Sequence, residues 1–181
     1  MSLLAQLLPI LAAACALRAG GAVSLAQDAP APGAAKAASP AISAGETTLR
    51  ADGGAVEAVY RYRLVEPPAA SIADPGATVP LIVFLHGAGE RGDDNAAQLK
   101  HFAGACADAA FQAKQPCYVL AMQCPAGETW SAIDLKGFRE RGETPKLSKD
   151  PTRAMRAVMQ AIDTVLEAKA VDRTRVYLTG L

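Results

Sequence analysis

The sequence lacks an excess of charge of either sign. Its 181 residues carry 18 Lys and Arg against 18 Asp and Glu. That balance offers nothing for a polyanion to bind, so neither nucleic acid nor an anionic surface is an expected partner. Aromatic residues make up only 5%, with a single Trp, too few for a carbohydrate-stacking platform. There are two His, and no Cys–His–Cys grouping has zinc-ligand spacing. No metal site is therefore expected. The carboxylates show no paired placement across strands, which leaves a glycosidase reading without support. What the chain does have is a hydrophobic fraction of 51%, ample for the core of one domain or part of one.

No apolar run is long enough to span a bilayer with comfort. The longest, Leu3 to Leu17, is followed by small residues and by Ser24-Leu25-Ala26 in front of Gln27. Small side chains at the third and first positions before a cut suit signal peptidase. Residues 1–26 are thus expected to be a signal peptide cleaved after Ala26, making the protein secreted or periplasmic and free of the membrane once cleaved. The n-region departs from the usual pattern, with no Lys or Arg before Arg18, so an uncleaved segment is the alternative. A lipoprotein cysteine at Cys15 is disfavoured by Ala12-Ala13-Ala14, which has no Leu where one is usual. Residues 27–45, rich in Ala and Pro with a lone Lys36, have few large apolar side chains to offset ordering entropy and read as a flexible linker.

From Glu46 the pattern becomes that of a folded domain. Glu46 to Arg50 reads as a first strand, and Asp52-Gly53-Gly54 as a turn. Val56, Ala58, Tyr60, Tyr62 and Leu64 then alternate with polar residues, the period of a hairpin strand with one face on a core. Leu81 to Leu85 and Cys117 to Met122 are apolar without alternation, as strands buried on both faces are. Between them, Asn95 to about Lys114 carries Leu99, Phe102, Ala103, Cys106 and Ala110 at helical spacing, with Asp93 or Asp94 as cap. After a long loop from Pro125 containing Trp130, a second helix is expected. Asp150 is its candidate cap and Pro151 its first residue, with Met155, Val158, Met159, Ile162, Val165 and Leu166 as its apolar stripe. Asp172 to Arg175 turns the chain into a final short strand, Val176 to Thr179. Strand, helix, strand, helix, strand after Pro80 implies a parallel sheet with helices on both faces, preceded by an antiparallel hairpin.

The loop after the third strand, His86-Gly-Ala-Gly-Glu-Arg-Gly92, matches the dinucleotide fingerprint G-x-G-x-x-G. That reading needs phosphate-friendly amides and an acid at the end of the next strand. Asp93 and Asp94 at the helix start repel phosphate, and the next strand ends in Gln123-Cys124, so an oxidoreductase is a distant alternative. The better reading is an oxyanion hole. Acyl transfer puts negative charge on a carbonyl oxygen, which pre-aimed backbone N–H groups stabilise. Small residues let the substrate approach the backbone closely. Ala88 and Gly89 are the donor candidates, with His86, Gly87, Glu90 and Arg91 supporting the loop. At the other end of the sequence Gly180-Leu181 matches the first two positions of G-x-S-x-G, in which a strand delivers a Ser on a tight turn.

These stretches together, Pro80 to Asn95, Gln123-Cys-Pro125 with Trp130, and Asp172 to Leu181, resemble the secreted esterase branch of the α/β-hydrolase superfamily. That branch comprises polyhydroxybutyrate-depolymerase-like, feruloyl-esterase-like and dienelactone-hydrolase-like proteins, and is near the prolyl-oligopeptidase-type peptidases. The resemblance implies that 46–181 is the N-terminal part of an α/β-hydrolase domain. It further implies a serine hydrolase of small-molecule or polymeric carboxylic esters that needs no cofactor. Ala88 and Gly89 then hold the oxyanion, and Gly180 and Leu181 lead into a nucleophile. The family's Ser, Asp and His match no residue of this sequence, so the expectation is a fragment ending just before the nucleophile, inactive alone. His86 is expected to brace the loop, because the family's general base follows the nucleophile. A peptidase with the same machinery and a non-catalytic binding module are the alternatives.

Several residues have bland readings of equal standing. Glu90 and Arg91 either form an ion pair that holds the loop or touch substrate, or are simply exposed. Arg91-Gly92-Asp93 is a three-residue coincidence with an integrin-binding tripeptide. Trp130 is a possible pocket wall or simply packs its own loop, and His101 reads as a helix-surface residue. Cys106, Cys117 and Cys124 remain after export, an odd number. Cys117 and Cys124 bracket a strand at about 20 Å, too far for a bond. A disulfide therefore requires Cys106, with Cys117 its marginally preferred partner.

Overall fold

The computed structural model describes residues 40–51, 53–133, 139–142, 144–145 and 148–181. The chain divides into two units, Met1–Ala34 and Ala35–Leu181, and every described residue belongs to the second. The expected signal peptide and most of the expected linker lie outside the described residues.

Five strands form one mixed sheet in the order β1-β2-β4-β3-β5. They are β1 (Ala41–Arg50), β2 (Val56–Glu66), β3 (Val79–Leu85), β4 (Tyr118–Met122) and β5 (Val171–Gly180). β1 and β2 make the expected antiparallel hairpin, and β2 also runs antiparallel to β4. β3 runs parallel to β4 on one side and to β5 on the other. β1 starts five residues earlier than expected, so 41–45 of the expected linker pairs with β2 from Ala41↔Glu66 to Gly45↔Tyr62.

The unalternated apolar runs are buried on both faces, as expected. Leu81, Val83 and Leu85 of β3 share one face with Tyr118, Leu120 and Met122 of β4. That face is covered by helix α3 (Arg153–Ala168). Phe84, Val119 and Ala121 point the other way, against Ala103 and Cys106 of helix α1 (Phe102–Cys106). α3 touches the sheet mostly through small residues: Ala154, Ala157 and Ala161 are fully buried beside Val158 and Val165. The larger expected stripe is turned partly aside, and Met159 is 55% exposed.

Three local expectations are corrected. The single helix 95–114 is instead a 3-10 turn (Ala97–Leu99), then α1, then α2 (Ala109–Lys114). Asp108 interrupts it, because its carboxylate accepts the amides of Ala110 and Phe111 and restarts the helix. α3 is capped by Thr152, whose Oγ1 accepts the Met155 amide at 3.1 Å, so Asp150 and Pro151 precede the cap. Asp172–Arg175 is not a turn before the last strand but an irregularity inside β5. Val79 and Leu81 pair with Val171 and Val176, and the Asp172 carboxylate gathers Thr174 and Arg175 over the extra residues. Those bonds hold the Asp172 carboxyl down at about 2.

β3 is where the strand order reverses, since the chain goes to β4 on one side and returns to β5 on the other. In open α/β sheets, ligands bind outside the carboxyl ends of the strands at such a point.

Candidate active site

β3 ends at Leu85, which lies opposite both Met122 of β4 and Gly180 of β5. The loops that follow β3 and β4 therefore emerge side by side with Leu181, the residue after β5. Gly180 is required there: a Cβ would stand 2.6 Å from the Leu85 carbonyl oxygen. The Leu181 amide donates to that same oxygen at 3.2 Å. A Cβ built on Gly87 would lie 3.7 Å from Leu181 Cβ. Gly87 of the glycine-rich loop and the Gly180-Leu181 pair, far apart in sequence, are thus neighbours.

His86 is 1% exposed and its ring is fully engaged. The Cys124 amide donates to Nε2 at 2.9 Å, so Nδ1 carries the proton and donates to the Gly87 carbonyl at 2.7 Å. The His86 carbonyl accepts the Trp130 indole N–H at 2.9 Å, and the two rings meet edge to face at 5.3 Å. Both ring nitrogens are occupied by backbone groups, which fits a brace and leaves none for substrate. Trp130 is held from its other end as well. Its carbonyl accepts the Thr152 hydroxyl at 3.0 Å, so the cap of α3 also fixes this loop.

Beyond Gly87, Ala88–Glu90 forms a 3-10 turn. Ala88 and Gly89 are exposed. Among the described residues neither amide has an acceptor, because a 3-10 turn cannot satisfy its own first N–H groups. Glu90 and Arg91 do not face each other. Glu90 Oε1 lies 3.3 Å from His101 Nε2, which draws His101 from the helix surface to the loop. Arg91 reaches the Cys124 thiol, where its charge favours the thiolate. Burial outweighs that influence and pushes Cys124 up to about 11.

Residues 92–98 are strapped down by groups that the sequence reading missed. Gln123, at the end of β4, accepts the Asn95 amide through Oε1 and donates through Nε2 to Asp94 Oδ1, both at 2.6 Å. Asp94 Oδ1 also accepts the amides of Ala96 and Ala97. Those three donors lower the Asp94 pKa to about 2. Asn95 stands at φ +49°, a left-handed conformation that Asn tolerates. Its side chain bonds the Tyr62 carbonyl and Gln98. From β2, Arg61 donates to the Asp93 carbonyl and Arg63 to that of Asn95. The available signal was a glutamine closing an otherwise apolar strand. A buried amide there has to be bonded, and the adjacent loop is what offers partners.

Below the loop, Tyr60 donates to Glu128 at 2.7 Å and Arg153 pairs with the same carboxylate at 2.9 Å. Burial, aided by Glu128, raises the Tyr60 pKa and keeps the phenol a donor. Among the described residues the cysteines form no disulfide: Cys106, Cys117 and Cys124 are buried thiols. Cys124 lies on the α3 side of the sheet and the other two on the α1 side. Gln112 bridges Cys106 and Cys117, bonding both carbonyls and the Cys117 amide. Among the described residues no cluster of His, Cys, Asp and Glu is arranged to hold a metal, and no helix is long and apolar enough to cross a membrane.

No protein-family model matches the sequence, and no curated protein does. Solved structures do. A thermostable esterase is 35% identical with a TM-score of 0.57, over 76% of this chain and 34% of its own. An S-formylglutathione hydrolase of Staphylococcus aureus is 10% identical with a TM-score of 0.44, over 77% of this chain and 47% of its own. A ferulic acid esterase of Anaeromyces mucronatus is 11% identical with a TM-score of 0.41, over 78% and 49%. The mixed sheet, with helices on both faces and its parallel strands centred on β3, is that of the α/β-hydrolase superfamily. The likeness of this chain to the thermostable esterase extends from the fold to the sequence. The chain spans about a third of that esterase's length.

Proposed function

We propose that this protein is an exported serine hydrolase that cleaves carboxylic esters through an acyl-enzyme. The observation that carries the reading is the contact between the Gly87–Gly89 loop and Gly180-Leu181 at the carboxyl end of the strands, in a chain 35% identical to an esterase. The reading requires a serine at the position following Leu181, and an Asp and a His that this sequence does not contribute. The serine oxygen attacks the acyl carbon while the His takes its proton and the Asp orients the His. The carbonyl oxygen turns negative and is received by the amides of Ala88 and Gly89, two donors with no acceptor among the described residues. The leaving alcohol takes the proton from the His, and water then releases the acid by the same steps.

His86 has no part in proton transfer in this scheme. Its ring holds Gly87 and Cys124, and so sets where the two amides point. The natural gene product is expected to hydrolyse p-nitrophenyl acetate and to be inactivated by a serine-directed phosphonate. Mass spectrometry should then find the phosphonate on the residue after Leu181. Hydrolysis that survives the inhibitor, or a label elsewhere, refutes the reading.

A further inference from the structure

The turn that carries Ala88 and Gly89 has little of its own to hold it. It is three residues long, Ala88–Glu90, and is closed by a 3.4 Å bond from the Glu90 amide to the Gly87 carbonyl. Among the described residues, a Cβ added at Gly89 would meet nothing within 4 Å. His86 fixes the loop at its head, and the Gly92 amide fixes its tail by donating to the Cys124 carbonyl at 3.0 Å. Between those two points the Glu90 side chain is anchored. It is 14% exposed, low for a carboxylate. Its Oε2 would lie 3.3 Å from a Cβ on Gly87, so the carboxylate folds back against the start of the turn. Its Oε1 lies 3.3 Å from His101 Nε2.

His101 stands at the head of α1, which Ala103 and Cys106 bury against the sheet. Glu90 thus ties the turn to a helix that the core holds in place. The His101 side chain makes no capping bond to α1 and is 55% exposed, so the helix does not depend on it. A contact this exposed adds little to folding stability. The turn has a stricter requirement. Oxyanion donors act only if they already point to where charge develops, and a misplacement of about 1 Å can cost about a hundredfold in rate. A tether that matters little to the fold can therefore matter a great deal to the two amides.

We propose that His101 is a positioning residue that holds the Ala88 and Gly89 amides through Glu90. The role rests on the ester-hydrolase reading for its chemistry, but the restraint of the turn does not. Two readouts on the natural gene product keep them apart. The first is hydrolysis of p-nitrophenyl acetate. His101→Leu is expected to lower kcat about tenfold at nearly unchanged KM, because the donors bear on the transition state alone. His101→Gln, which returns a donor near the place of Nε2, should stay within about threefold of the parent. Glu90→Ala should lower kcat as His101→Leu does, and the double variant no further, since the two side chains act as one unit. The second readout is NMR relaxation of the Ala88 and Gly89 amides, which needs no substrate. Their order parameters should stand near about 0.85 in the parent and in His101→Gln, and fall toward about 0.6 in His101→Leu. Order parameters that ignore His101→Leu overturn the tether, whatever the rate does. Additive losses in the double variant overturn it too, because Glu90 then acts without His101. A gene product that hydrolyses no ester but loses order on His101→Leu keeps the tether and removes the esterase. Hydrolysis that is indifferent to His101→Leu keeps the esterase and removes the positioning role.

Discussion

His86 offers the sharpest separation between a brace and a catalyst. Replacing it by Phe keeps a ring of similar shape and removes both nitrogens. The Cys124 amide then loses its acceptor, and Cys124 is 0% exposed, so no water replaces it. The Gly87 carbonyl loses its donor too, but Gly87 is only half-buried and water compensates in part. An orphaned buried group costs about 1–3 kcal/mol, and the larger ring adds crowding of about 1 kcal/mol. His86→Phe should therefore destabilise by about 2–4 kcal/mol. With a urea slope near 2 kcal/mol/M, the midpoint falls by about 1–2 M. His86→Gln is the informative partner. Its Oε1 reaches the place of Nε2 and accepts from Cys124, so it should recover about half of the loss. Urea melts followed by circular dichroism measure both variants. If both melt within about 0.5 kcal/mol of the parent, the hydrogen bonds are not holding the loop. If, in addition, the Phe variant of the natural gene product loses all hydrolysis, His86 is a catalytic group and the argument above is refuted.

Two further expectations follow from the geometry of the site. Asp94 is held at about 2 by the amides of Ala97 and Ala96 and by Gln123. Between its unfolded value of 3.8 and about 2 the unfolded chain binds the extra proton, so the Asp94 contribution is complete above pH 4 and disappears as pH falls through 2. Asp94→Asn should show a shallower loss of stability over that interval than the parent, and parallel acid melts count against the assignment. Thr152→Val removes the cap of α3 and the hydroxyl bond to Trp130. It should cost about 1–2 kcal/mol and shift the emission of Trp130. A lost cap without a spectral shift means that Thr152 does not hold the loop.

What was legible in the sequence is what repeats over several residues. Leu81–Leu85 and Cys117–Met122 show no alternation because both faces of those strands are covered, and that is how they fold. The alternation of β2 likewise identifies the hairpin. The interruptions were less visible, because each is the act of one side chain. Asp108 restarts a helix whose apolar spacing runs straight through it. Asp172 gathers Thr174 and Arg175 so that β5 carries extra residues without turning. At the site, the loop with Ala88 and Gly89 was legible from its glycines. The strap behind it was not. Gln123 and Asn95 are 28 residues apart, and no local pattern connects a strand-ending glutamine to a left-handed asparagine. Of the alternatives open for Glu90 and Arg91, adjacency in sequence could not choose, because it does not fix adjacency in space. Their side chains leave in different directions, one to His101 and one to Cys124.

The alignment of Leu85 with Met122 and Gly180 bears on how the site tolerates change. Two loops and the end of β5 are anchored on one rung of the ladder. To displace His86 against Leu181 by one residue, about 3.3 Å, β3 would have to slip in register. A slip by one turns every side chain to the opposite face, sending Phe84 toward α3 and Leu81, Val83 and Leu85 toward α1. The core opposes that with all of its packing. Substitutions in the loops themselves meet no such resistance, so the pocket can be rewritten residue by residue while the spacing between the glycine loop and the strand end stays fixed.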